Sequence, residues 1–335
     1  MKDYITRTIK RPNKRSNKHK SKRSKEHTYT YEYRDKSGKR LSQRATKESL
    51  EGLYLPPALD DVKINLQKNA KVLAIGKDEK GRSQYTYNAK HTEKRSKEKF
   101  KHMASLGESY QKILRQIQRD LYTDSDSKDK QIATILRFVI DCSFRVGNEK
   151  YTKDNNSYGV TTLESRHVRT NGPKITVEFV GKKGVVNKCQ FSNKKLSKNL
   201  RNRKRTLKST DKLFTYRKGT KYYSVRPSDV NRYLRKFGNF TTKNFRTWTA
   251  NLEFLHQLTK HPEIFECSET QRKRLVNECI DKVAHKLHNT RGVCKSNYLD
   301  PKLVDAATHN PHTLKDFRNC TTREEFTETY MKFLK

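Results

Sequence analysis

No apolar run in the chain approaches the roughly 18 residues that a membrane-spanning helix needs. The charged N-terminus also lacks the apolar stretch of a signal peptide. Cysteine is sparse: Cys142, Cys189, Cys267, Cys279, Cys294 and Cys320 are scattered without a C-x-x-C pair. That spacing argues against a zinc site or a disulfide framework and predicts reduced thiols, several of them in the core. Acidic residues are few, 36 against 76 Lys+Arg, and hydrophobic residues make up only 32%. No internal repeat is visible. These absences point to a soluble, intracellular protein with no resident metal or cofactor.

What is present is positive charge. The net charge of +40 and an isoelectric point near 10.0 imply a nucleic-acid partner, because neutralising phosphates and releasing their counterions drives binding at physiological salt. A basic packaging or architectural protein would need only this charge. Here, however, the apolar residues gather in periodic segments while charge crowds the first hundred residues, so a core is expected, and 335 residues favour about two domains.

Residues 2–25 hold eleven Lys/Arg against Asp3 alone. They are expected to form a disordered basic arm, residues 1–28 in all, that adds DNA affinity. From Tyr29 the texture is that of strands: Tyr29, Tyr31 and Tyr33 alternate with polar residues, Asp35–Gly38 is a hairpin signal, and strands follow at 61–66, 72–76 and 83–88. Residues 29–89 thus read as a small β-rich domain and the charge-dense 90–101 as a linker or exposed helix. In residues 102–335 helices dominate, with Leu106, Tyr110, Ile113, Ile117 and Leu121 at helical spacing and a buried helix over 132–144. Three strands interrupt them, at 165–169, 174–180 and 185–191. Later helices start at caps: Ser228, Ser268 with Gln271, and Thr321 with Glu324.

Five residues in this second part have chemistry in common. A tyrosine hydroxyl attacks a phosphodiester usefully only where cations stabilise the non-bridging oxygens and an acid protonates the leaving oxygen. Arg145 ends an apolar helix, where alone it would read as a cap on carbonyls. Lys182 shares a hairpin tip with Lys183, where alone it would be a solvated turn lysine. Lys243 and Arg246 lie about one helical turn apart and can face one groove. Tyr298 follows a helix ending near Leu287 and precedes a new start at Asp300-Pro301.

The stretches Arg145-Val146-Gly147 with Tyr151 beyond, Phe179-Val180-Gly181-Lys182, Lys243-Asn244-Phe245-Arg246-Thr247-Trp248 and Asn289 nine residues before Tyr298 together resemble the type IB DNA topoisomerases, in the compact form of poxviruses, other large DNA viruses and some bacteria. The resemblance covers about Tyr29 to Asp300. It implies that Tyr298 is the nucleophile, forming a 3′-phosphotyrosyl link, that Arg145 and Arg246 clamp the phosphate, and that Lys182 is the acid to the 5′ oxygen. Lys183 stands where relatives often have an acidic residue. The family's histidine position is Asn289 here, and His288 is one place off. Asn289 is thereby assigned the hydrogen bond to a phosphate oxygen. Gln84, Tyr85 and Tyr87 match the family's Q-Y-x-Y strand and, with Tyr151 and Lys243, are implied DNA contacts.

The expected fold is α+β: a small β-rich N-terminal domain plus a mainly helical catalytic domain with a three-stranded sheet, forming a clamp around duplex DNA. The expected function is ATP-independent relaxation of supercoiled DNA by a monomer that needs no metal. A tyrosine recombinase shares the nucleophile and clamp, but usually has H-x-x-R where this chain has Lys243-x-x-Arg246. An architectural DNA-binding protein is the non-enzymatic alternative.

Overall fold

The computed structural model describes residues 3–10, 29–79, 81–123 and 126–335, which fall into two compact units, Met1–Lys99 and Phe100–Lys335. In the first unit β1 (Tyr4–Lys10), β2 (Thr30–Arg34), β3 (Asp60–Asn65), β4 (Val72–Lys77) and β5 (Ser83–Tyr87) form one sheet in the order β2-β1-β3-β4-β5, every neighbouring pair antiparallel. Alternation sends Ile5, Val62, Ile64 and Ala74 into a small core with Leu59. A short helix, α1 (Gln43–Leu50), capped by Ser42, was not expected from the sequence.

Strand β1, paired on both sides, corrects the expectation of a disordered arm over residues 1–28. Charge counting hid it, because one of the cations is an inward-facing strand residue. Arg7 is buried, donates to the carbonyls of Pro56 (3.0 Å) and Leu59 (2.7 Å), and sits 4.5 Å from the centroid of the Tyr31 ring. Paired in this way, a guanidinium can occupy the position that an apolar residue would otherwise hold. The remainder of the expected arm, residues 11–28, lies outside the described residues.

Residues 90–101, expected as a linker or exposed helix, lie in the opening turns of α2 (Ala89–Leu121), where the described side chains are largely exposed. From Met103 onward the same helix carries a buried stripe through Leu106, Tyr110, Ile113, Ile117 and Leu121. It is followed by α3 (Lys128–Cys142), with ten of its 15 residues buried, and α4 (Glu149–Asn155). Next come the antiparallel strands β6 (Val168–Asn171), β7 (Lys174–Val180) and β8 (Val186–Ser192), close to the three strands expected, and α5 (Lys194–Lys204). A two-stranded hairpin, β9 (Thr215–Lys218) and β10 (Lys221–Ser224), precedes six helices: α6 (Pro227–Arg235), α7 (Thr242–Leu258), α8 (Glu269–Lys286), α9 (Arg291–Asn297), α10 (Pro301–His309) and α11 (Arg323–Leu334). The hairpin was not expected.

At the core of this unit Trp248 of α7 lies between Tyr110 and Tyr330, at 5.6 and 5.2 Å between ring centroids. The Ser268–Gln271 capping box opens α8 as expected. Two other starts move. Arg226, not Ser228, caps α6, because Pro227 takes the first helical position and Asp229 accepts from the Arg226 N–H at 3.0 Å. The box on α11 is Thr322 with Glu325, one residue later than expected.

One cysteine expectation is overturned. Cys142 and Cys189 form a disulfide across 47 residues of sequence, with a Cα–Cα distance of 5.6 Å. The last turn of α3 packs against β8, a juxtaposition that no cysteine spacing encodes. The other four cysteines are free, and Cys279, Cys294 and Cys320 are buried. No helix among the described residues is long and apolar enough to cross a membrane.

Candidate active site

The segment after α3 is built from close backbone approaches. Ser143 ends the helix in the left-handed region at φ 53°, and Phe144 is buried against Phe179 of β7, 4.9 Å between centroids. Arg145 and Val146 then lie beside residues 160–161: the Val160 N–H donates to the Arg145 carbonyl (2.9 Å) and the Thr161 N–H to that of Val146 (2.8 Å). Only glycines permit this approach. A Cβ on Gly159 would stand 2.3 Å from the Gly147 Cα and 2.8 Å from the Arg145 oxygen, and Gly147 itself has φ 94°. With its backbone fixed, Arg145 donates from Nη2 to Asn289 Oδ1 at 2.5 Å.

Arg246, in the early turns of α7, is almost fully buried. It donates to the carbonyls of Ser143 and, at 3.2 Å, Leu287. These are the terminal carbonyls of α3 and α8, so one guanidinium joins the C-termini of two helices where the unsatisfied carbonyls favour a cation. Its Nε has no hydrogen-bond partner. The guanidinium carbon lies 5.2 Å from the centroid of the Tyr298 ring. Burial would raise the Tyr298 hydroxyl pKa, but Arg246, Arg145 and Lys243, with the hydrogen bond from Arg246, outweigh it and hold the pKa below the usual phenol value.

Asn289 and its neighbour His288 point differently. Because arginine only donates, the Asn289 amide must turn its oxygen to Arg145. Its Nδ2 is left buried without a partner. His288 has φ 53° and lays its ring on Phe144, 5.4 Å between centroids. Burial, followed by the charges of Arg246, His285 and Arg145, pushes its pKa down to about 4, so at neutral pH the ring is uncharged.

Arg145, Asn289, Arg246 and Tyr298 are therefore drawn into one cluster. Lys182 is exposed at the β7–β8 tip and donates no hydrogen bond to the other four. Its hairpin is nevertheless tied to the Arg145 segment through the Phe144–Phe179 contact and the Tyr158 N–H to the Val180 carbonyl at 2.8 Å. Lys183 beside it takes the left-handed conformation at φ 65°. Lys243, on the first turn of α7, and Tyr151, on α4, are exposed. In the first unit Tyr85 and Tyr87 are exposed with rings stacked 6.1 Å apart, while Gln84 bonds Asp78 of its own unit at 3.0 Å.

Sequence reading missed Asn251. It is fully buried in α7, donates to the Thr247 (2.8 Å) and Tyr298 (2.9 Å) carbonyls, and accepts from the Asp300 N–H at 2.8 Å. It therefore fixes the backbone on both sides of Leu299 and sets where Tyr298 begins. The signal was available: an asparagine on the apolar stripe of a helix is unfavourable unless its amide is bonded. Among the described residues there is no cluster of metal-ligating side chains.

Residues 88–323 match the family described as eukaryotic DNA topoisomerase I, catalytic core, and residues 30–78 match the bacterial DNA topoisomerase IB N-terminal domain. The chain is 30% identical over 313 residues to the DNA topoisomerase 1B of Acanthamoeba polyphaga mimivirus, covering 86% of this chain and 90% of that protein. It is 24% identical over 289 residues to DNA topoisomerase 1B of Vaccinia virus (strain Copenhagen), covering 83% and 87%. The DNA topoisomerase 1 of Mycosarcoma maydis is 26% identical over 217 residues, 58% of this chain and 21% of that protein.

Proposed function

The chain belongs to the type IB DNA topoisomerases, enzymes that relax supercoiled DNA, and from that premise we propose how its own residues divide the work. The Tyr298 hydroxyl gives up its proton to solvent as its oxygen attacks a backbone phosphorus. A P–O bond to tyrosine forms as the P–O5′ bond breaks, and Lys182 gives a proton to the departing 5′ oxygen. The product is a 3′-phosphotyrosyl link and a free 5′-hydroxyl. One phosphodiester is exchanged for another of similar energy, so the reverse attack reseals the strand without ATP once it has swivelled.

The observation that carries this reading is the convergence at Tyr298. Arg246 stands on its ring, the Arg145–Asn289 pair lies beside it, and the free Nδ2 of Asn289 is a buried donor with nothing to bond. Two guanidiniums and an amide suit a phosphate whose oxygens gain charge during attack. Tyr85, Tyr87, Tyr151 and Lys243 contact the duplex outside this centre, and the two units close around it as a clamp. The enzyme works as a monomer.

Relaxation of supercoiled plasmid with EDTA present and ATP omitted is the expected result, since the arginines supply the charge that a metal would. Loss of relaxation in EDTA, restored by a divalent ion, would overturn the proposal. Within the site, Asn289→Ala should slow single-turnover cleavage by on the order of 10–10³, as for loss of one oxyanion donor. His288→Ala should cost far less, because that ring faces Phe144. A severe defect in His288→Ala beside a mild one in Asn289→Ala would reverse the assignment.

A further inference from the structure

The β9–β10 hairpin has a composition that neither its packing nor the active site uses. Its ten residues, 215–224, contain Arg217, Lys218, Lys221 and three tyrosines, with no carboxylate. Antiparallel pairing sets Lys218 opposite Lys221 and Tyr216 opposite Tyr223. Residues two apart on a strand share a face, so the four side chains line one side of the ribbon. The tyrosine pair is stacked, 6.0 Å between centroids. Among the described residues the lysine pair has no carboxylate partner, and like charges directly opposed across two strands destabilise them. On the other side Tyr222 is 68% exposed, more than the 57% of Tyr151. A ribbon that opposes two lysines and leaves tyrosines in water is held together better when a polyanion lies on it.

The base of the ribbon is firmly placed. Arg203 donates to the Thr215 carbonyl (2.6 Å) and hydroxyl (2.7 Å), the Val225 N–H to the Phe214 carbonyl (3.0 Å), and the Lys128 ammonium lies 5.1 Å from the Tyr216 ring centroid. Lys128 opens α3, and Arg145 follows the other end of the same helix. The base of the hairpin and Arg145 therefore lie beside opposite ends of α3, whose 15 residues span about 22 Å.

We propose that the β9–β10 hairpin is a second DNA contact of this enzyme, in which Lys218 and Lys221 grip backbone phosphates of the same duplex away from the cleaved one. The proposal rests on the topoisomerase reading for its reference point, the phosphotyrosyl link. Tyr223, exposed on the same face, flanks the lysines as a surface for sugar and base edges, while Tyr216 packs on the core. The hairpin takes no part in the chemistry. It adds affinity and fixes the direction in which the duplex leaves the site.

The test compares the wild type with Lys218→Ala/Lys221→Ala. In a Tyr298→Phe background, where binding is read without cleavage, the double variant should bind a long duplex more weakly and flatten the log–log salt dependence by about two, one phosphate per lysine. Lys218→Arg/Lys221→Arg should keep the wild-type slope. In the Tyr298 protein, hydroxyl-radical footprinting of the trapped covalent adduct should show the double variant losing one patch of backbone protection, separate from that around the phosphotyrosine, at an unchanged saturated cleavage rate. Identical salt slopes, an identical footprint, or a loss seen only when a second duplex is added would each overturn the inference. Failure of the wild type to form any adduct would instead sink the topoisomerase reading, and the salt slopes would still report whether the hairpin touches DNA.

Discussion

Tyr298→Phe is expected to abolish covalent attachment to DNA while leaving non-covalent affinity near that of the wild type. The change removes one oxygen and keeps the ring on which the Arg246 guanidinium rests at 5.2 Å. Arg246 also retains its bonds to the Ser143 and Leu287 carbonyls, so its buried charge stays solvated by the protein. Asn251 holds the backbone of residue 298 whatever its side chain is. Loss of the adduct would then report the missing nucleophile and not a collapsed site. Labelled duplex run on a denaturing gel makes the measurement, and a persistent protein–DNA adduct in the variant would remove Tyr298 from its role.

Lys182→Ala should slow cleavage by roughly the 10²–10⁴ expected for loss of a general acid. Substrate in which sulfur replaces the leaving 5′ oxygen should recover most of the rate, because that leaving group departs without a proton. Lys183→Ala is the necessary control, since both lysines are exposed at one tip. Sulfur rescue in Lys183→Ala, with none in Lys182→Ala, would transfer the acid function to the neighbour.

Much of the fold was legible because local pattern and tertiary role agreed. Tyr31 and Tyr33, the turn at Asp35 and the buried stripe of α2 each announce their element by periodicity. Reading failed where a residue's role is set by a distant partner. Arg7 counts as a solvated charge until the Pro56 and Leu59 carbonyls are seen around it. Asn251 shows its use only when the backbone of residues 298–300 arrives from 47 positions away. At the candidate site, resemblance to a family singled out the five residues, and spacing alone would have left each with a blander role. The two C-terminal carbonyls that meet on Arg246 belong to helices far apart in sequence, so no spacing along the chain encodes that meeting.

The Cys142–Cys189 bond gives the chain a property that its hydrogen bonds do not. It closes residues 142–189 into a covalent ring that contains Arg145, Tyr151 and Lys182, while Arg246, Asn289 and Tyr298 lie on the linear tail beyond it. A single break in the backbone within that ring, for instance at the exposed tip of residues 182–185, converts the ring to an open bridge without dividing the molecule. The half bearing Tyr298 stays joined to the half bearing Arg145 until a reductant cuts the sulfur link, so the integrity of the chain at this exposed turn is set by thiol chemistry as much as by the peptide bond.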